Sequence, residues 1–206
     1  MNTELTRRLG IDVPVLQGGM AWVSGPELAA AVSAAGGLGI IGAATMECDE
    51  LRDAIRRVRA RTDRPFGVNI PLILVRPDGE DLIGQLIEIV LAERVPVVIT
   101  GAGSATRLTS LLRGAGRVVG HVVPSPDLAV KAYRAGVDFV IAESVEAGGH
   151  VREGGLATMS AVLSAKATVM STKMSRHCAG MAAAFSSARA GPAEQEPTPA
   201  VLAKAA

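Results

Sequence analysis

The chain has 206 residues, 49% of them hydrophobic and 20% charged, a balance that lets a globular protein bury a core. Its 21 Lys and Arg nearly cancel its 20 Asp and Glu, and its aromatics are only three Phe, one Trp and one Tyr. There is thus no charge excess to attract nucleic acid or an anionic membrane and no aromatic platform for stacked bases, so a small-molecule partner is expected.

Apolar runs are broken by Gly, Pro or charge before the roughly 18 residues that a membrane span needs, so no membrane association is expected. Cys48 and Cys178 lie far apart and in no ligand-like spacing with His or Asp, so neither a disulfide framework nor a metal site is predicted. A reducing cytoplasm is the expected location.

Short Val- and Ile-rich runs alternate with longer helical patterns. Strands are predicted at 13–16, 38–41, 66–70, 97–100, 117–123 and 139–142, and helices at 26–35, 49–61, 80–93, 105–113 and 126–135. Most of the strands are largely apolar, as in a parallel sheet buried on both faces. Ser24-Gly25-Pro26 offers a helix cap with Pro in the first turn, and Gly36-Gly37 and Gly136 supply left-handed stops. In 49–61, Leu51, Ile55 and Val58 share one stripe, leaving Arg52, Arg56, Arg57 and Arg59 to solvent.

Strand onsets recur roughly every 25 residues, which suits either a (β/α) barrel or an open doubly wound sheet. Polar or glycine-rich segments follow the first, third, fourth and sixth predicted strands. Candidate functional loops are therefore spread along the chain and not gathered at one switch point, which favours the barrel. Beyond Gly155 the pattern weakens into an Ala- and Ser-rich stretch, expected to be a flexible tail from about residue 190.

Four of these segments carry candidate chemistry. In Gln17-Gly18-Gly19-Met20 a strand runs into two glycines, which suit either a tight turn or close approach of a flat ligand. Asn69 interrupts the apolar run Phe66-Gly67-Val68-Asn69-Ile70-Pro71. Its amide can donate and accept at the edge of a heteroaromatic ring, or it can satisfy backbone groups before Pro71. Thr100-Gly101-Ala102-Gly103-Ser104 joins a strand to a helix whose first N–H groups can meet an anion, a common and unspecific turn. In Glu146-Ala147-Gly148-Gly149-His150, two glycines precede a histidine able to exchange protons near neutral pH.

The segments Gln17-Gly18-Gly19-Met20, Gly67-Val68-Asn69 and Glu146-Ala147-Gly148-Gly149-His150, in this order and each after its own strand, resemble the nitronate monooxygenase (2-nitropropane dioxygenase) family and the related flavin-dependent enoyl-[acyl carrier protein] reductases. The likeness covers residues 5–155. It implies a TIM-type (β/α) barrel, here incomplete, with about six of the eight βα units. Residues 1–165 would be an FMN-binding partial barrel and 166–206 a divergent segment.

It further implies that Gly19, Met20, Asn69, Glu143, Gly148 and Gly149 surround FMN and that His150 is catalytic. The implied substrate is an alkyl nitronate oxidised by molecular oxygen; the alternatives are enoyl reduction and a catalytically inactive relative. Ser144 and Arg152 stand where the family usually has glycine. The two further strands with phosphate-binding loops are not found, so the first and sixth predicted strands are expected to expose edges and to favour a homo-oligomer.

Overall fold

The computed structural model describes residues 2–73, 81–148 and 200–203, with isolated positions 157, 160 and 166. Its elements in order are α1 (Glu4–Leu9), α2 (Pro26–Ala34), β1 (Gly39–Gly42), a 3-10 turn (Ala43–Thr45), α3 (Cys48–Arg59), β2 (Phe66–Pro71), α4 (Leu82–Ala92), β3 (Val97–Gly101), α5 (Thr106–Gly114), β4 (Val118–Val123), α6 (Pro126–Arg134), β5 (Phe139–Ala142) and β6 (Ala200–Ala203). The strands form one sheet in the order β1-β2-β3-β4-β5-β6, and every neighbouring pair is parallel.

That order decides the architecture. A doubly wound sheet reverses direction at a switch point, whereas right-handed crossovers between strands laid down strictly in sequence put every helix on one face. The other face must then curl on itself. The fold is an incomplete (β/α) barrel, as the sequence predicts.

The two faces bury separate cores. Between sheet and helices lie Ala29, Leu51, Ile55, Val58, Val68, Leu86, Val90, Val98 and Val140, among others. Inside the curl lie Leu38 and Ile40 of the first βα unit, Val97 and Ile99 of β3 and Phe139 of β5, closed by Leu5, Leu9 and Ile11. The register shows how this interior is filled. Gly67 of β2 stands between Ile40 and Val97, and Gly120 of β4 stands between Ile99 and Phe139. At these positions β1, β3 and β5 supply bulk while β2 and β4 supply room, the layering expected of a barrel interior.

The helix α1 closes the N-terminal ends of the strands. A reciprocal capping box between Thr3 and Thr6 starts it, and Gly10 at φ 68 ends it. Arg8 Nη1 donates to Asp138 Oδ1 at 2.8 Å, and the other Asp138 oxygen accepts from the Val119 N–H at 2.9 Å. A charged six-residue segment is thereby fixed beneath the barrel by two leucines and one ion pair.

Three expectations change. Residues 13–16 do not form a strand. Only an isolated bridge joins Leu16 to Leu38, because Pro14 lacks an N–H and, among the described residues, no strand pairs with the far side of this edge. Residues 200–203, assigned to a flexible tail, instead pair with β5. The edge of residues 139–142, expected to be exposed, is therefore covered by β6. The α3 arginines do face outward and are paired: Arg57 and Arg61 with Glu27, Arg56 and Arg59 with Glu93.

A Cβ at position 120 would lie 2.5 Å from Phe139 Cζ and 2.8 Å from Ile99 Cδ1, both side chains being almost wholly buried. Gly120→Ala is expected to cost roughly 2 kcal/mol by overpacking. Chemical denaturation of Gly120→Ala, Phe139→Leu and the double variant should show the two changes partly compensating.

Candidate functional site

The C-terminal ends of the strands carry most of the residues singled out by the sequence. The loop that follows Leu16 is tied down by two side chains. Gln17 replaces a neighbouring strand: its Nε2 donates to the Ile40 carbonyl at 3.2 Å, and its Oε1 accepts from the Ile40 N–H at 3.2 Å. Ser24 is buried; its Oγ accepts from Gln17 Nε2 at 2.7 Å and from the Met20 N–H at 2.9 Å, and donates to the Gly18 carbonyl at 2.9 Å. Ser24 is thus not the helix cap that the sequence suggests. Gly25 occupies that position without a side-chain cap, and the hydroxyl instead organises the glycine loop.

This loop brings Gly19 and Met20 to Asn69. A Cβ on Gly19 would lie 2.5 Å from Asn69 Cβ, so only glycine allows the backbone to pass this close. The Met20 backbone packs on Gly42, which pairs in register with Asn69. The Asn69 amide is lightly engaged, its Nδ2 reaching the Ile99 carbonyl at 3.4 Å. It shares the inward orientation of Gly67, two residues earlier in β2. A donor and an acceptor are thereby presented beside an open stretch of glycine backbone.

Glu143 and Ser144 follow β5 and are buried, with the Glu143 N–H donating to the Val123 carbonyl at 2.9 Å. Gly148 is exposed. Glu143 and Gly148 thus follow β5 at the same end of the sheet as Gly19, Met20 and Asn69. Gly149, His150 and Arg152 lie outside the described residues. Among the described residues no group of three or more His, Cys, Asp or Glu is placed to hold a metal, and no helix is long and apolar enough to cross a membrane.

A buried polar pair behind the sheet has no counterpart in the sequence reading. Thr100 and His121 sit on the helix-facing side of β3 and β4, with Thr100 Oγ1 2.7 Å from His121 Nδ1. Burial pushes the imidazole pKa below its ordinary 6.5, opposed by a hydrogen bond to the Gly103 backbone. The available signal was a histidine inside Val118-Val119-Gly120-His121-Val122-Val123, a run otherwise apolar on both faces.

Two predictions follow from these contacts. Ser24→Ala removes the acceptor of the Met20 N–H and one of the partners of the Gln17 amide and is expected to cost about 1 kcal/mol in urea denaturation. A His121 pKa lowered by folding means that the unfolded chain takes up a proton first on acidification. Its contribution to stability is complete above pH 6.5 and is lost as pH falls below that value, by up to about 1.4 kcal/mol per pH unit until the folded imidazole also protonates. Unfolding free energies between pH 8 and 5 should show this slope in the native sequence and a shallower one in His121→Phe.

Comparison with known proteins agrees with this geometry. The sequence profile of the nitronate monooxygenase family matches residues 2–82. The structure of FabK from Thermotoga maritima is 46% identical with a TM-score of 0.75, over 82% of this chain and 52% of that one. A Mycobacterium tuberculosis protein named (3aS,4S,5R,7aS)-5-hydroxy-7a-methyl-1-oxo-octahydro-1H-indene-4-carboxyl-CoA dehydrogenase is 41% identical over 150 residues, 73% of this chain and 41% of the relative. Nitronate monooxygenase of Paraburkholderia phytofirmans is 32% identical over 178 residues, 69% of this chain and 48% of the relative. The chain spans about half the length of these relatives and is similar to the nitronate monooxygenase family over residues 2–82.

Proposed function

We propose that the barrel mouth binds FMN and that the chain serves an oxidoreductase that oxidises alkyl nitronates with molecular oxygen. The observation that carries this reading is the Asn69 amide, lightly engaged and set beside the Gly18-Gly19 backbone where a flat ring can approach. FMN, when bound there, supplies the electron-accepting centre. Asn69 would hold the polar edge of the ring, with Gly19, Met20, Glu143, Gly148 and Gly149 around it. Gln17 and Ser24 keep the loop from collapsing into that space. His150 would take or return the proton at the reacting carbon.

A second reading, reduction or oxidation of a thioester-linked substrate with a nicotinamide partner, is favoured by the identities. FabK at 46% and the CoA-ester dehydrogenase at 41% exceed the nitronate monooxygenase at 32%. Both readings share the flavin and the histidine and differ in what stands above the ring.

The purified chain is expected to be yellow and to release stoichiometric FMN on denaturation; colourless protein that cannot be reconstituted would count against the cofactor assignment. With FMN in place, oxygen consumption on a nitronate supports the first reading, and NAD(P)H consumption on an enoyl thioester supports the second. His150→Ala should lower whichever rate is found by about 10²-fold or more while FMN remains bound.

A further inference from the structure

The large apolar side chains left in solvent are not scattered over the molecule. Met20, Trp22 and Val23 stand on the glycine loop, Ile73 on the loop after β2 and Val145 on the loop after β5, all at the C-terminal pole of the sheet. Among the described residues only Val13 and Val15 of the edge segment and Leu111 of α5 are exposed elsewhere. Singly exposed apolar residues are normal on any surface, whereas a group of them around one candidate site is not.

Trp22 dominates this group. It is 88% exposed and is the single tryptophan of the chain. Its indole offers about 150–250 Å² of surface to a partner. The backbone sits at φ 61, a left-handed conformation that costs a side-chain-bearing residue energy. Local contacts nevertheless impose it. The Val23 and Ser24 N–H groups close on the Met20 carbonyl at 3.2 and 2.9 Å, and the Gly42 N–H at the end of β1 donates to the Ser24 carbonyl at 3.0 Å. The turn is thereby fixed to the strand position that pairs with Asn69.

Charge narrows the choice of partner. The described residues of the loops at this pole, 17–25, 43–47, 72–73, 102–105, 124–125 and 143–148, include no Lys or Arg, and their only charged groups are Glu47, Glu143 and Glu146. An anionic group finds no cation there, while an uncharged apolar group finds five side chains. Those side chains stand on three separate loops around the candidate site, which suits a small molecule entering between loops better than a flat protein face.

We propose that Trp22 is a specificity-determining residue: its indole, with Met20 and Val23 beside it, forms an apolar wall at the barrel mouth that takes the uncharged hydrocarbon tail of the substrate. The wall stands on exposure and loop geometry, while the tail's place beside the flavin rests on the FMN reading above. Under either chemistry the preferred substrate is a long-tailed nitronate or thioester, not the shortest member of its series. A strained, exposed indole stabilises nothing in the free chain, and the tail supplies the surface that it lacks.

As the single tryptophan, Trp22 reports its own surroundings. Its emission maximum and its quenching by acrylamide can be followed on the purified chain supplied with excess FMN. The probes are straight-chain nitroalkanes, from nitroethane to nitrooctane, and saturated acyl thioesters of N-acetylcysteamine, from acetyl to decanoyl. Longer members are expected to shift the emission to the blue and to protect it from acrylamide, with affinity rising about three- to fourfold per added methylene. Calorimetric titration of Trp22→Ala should lose this dependence, long tails binding about tenfold more weakly and short ones as before. Trp22→Leu keeps an apolar wall and should retain most of it. A side chain this exposed adds little to the fold, so both variants are expected to unfold as the native chain does.

Emission unmoved by every probe, or a chain-length dependence that survives in Trp22→Ala, would overturn the wall. A blue shift that appears without any probe as protein concentration rises, together with a dimer in sedimentation, would overturn it in favour of a second copy of the chain. Tail binding by a chain that takes up no FMN would overturn the flavin reading and leave the wall standing.

Discussion

The structure depends on how the concave face of the sheet is filled. Six parallel strands in strict sequence order can curl only if their inner residues pack without collision, and Ile40-Gly67-Val97 and Ile99-Gly120-Phe139 meet that condition across three neighbouring strands at a time. Were the even strands to carry branched side chains at these positions, the sheet would have to flatten and the interior cluster would lose its contacts. The lower interior is dense and apolar, filled from β1, β3 and β5 with Val118 and Val122 of β4 packed beside them, and α1 closes it with Leu5 and Leu9. Polar residues are left to the other end of the strands.

This polarity sorts the buried polar groups by task. At the N-terminal pole, Asp138 binds Arg8 and the Val119 N–H, an arrangement that holds elements together and offers nothing to a ligand. At the C-terminal pole, Gln17 ties the glycine loop to Ile40 of β1, Ser24 binds within that loop, and Asn69 lies beside it, at the end where a barrel carries its chemistry.

Much of this was legible in the sequence. Strands β1 to β5 announce themselves as Val- and Ile-rich runs because both faces are buried, and glycines mark where α2 and α6 stop. Residues 13–16 look like the same kind of run but lie at an edge with Pro14 among them, so apolar composition overstated their pairing. The strand β6 was hidden for the opposite reason. Ala200 to Ala203 has weak intrinsic strand preference, and its conformation comes from the vacant edge of β5, a tertiary cause that no local pattern records. In the site, Gly19 and Asn69 stood out because each breaks an apolar run. Ser24 was misread because a serine before Gly-Pro has a plausible local job, and only the fold shows that its hydroxyl turns back to the loop.

The left-handed backbone positions extend the point. Three residues other than glycine adopt positive φ among the described residues: Trp22, Arg94 and Ala102. Arg94 closes a turn between α4 and β3 on the structural pole. Trp22 and Ala102 lie on loops of the functional pole, and the Trp22 loop is held by a buried polar side chain that sequence reading did not assign to it. For Trp22 the anchor is Ser24, which grips Gly18 and Met20 while the Val23 and Ser24 N–H groups close on the Met20 carbonyl. An exposed strained turn gains little from burial, so its conformation must be imposed from below, and a hydrogen bond imposes direction where apolar packing fixes only distance. The glycine loop at the mouth of this barrel is therefore shaped before any ligand arrives, by a polar anchor set into an otherwise apolar framework.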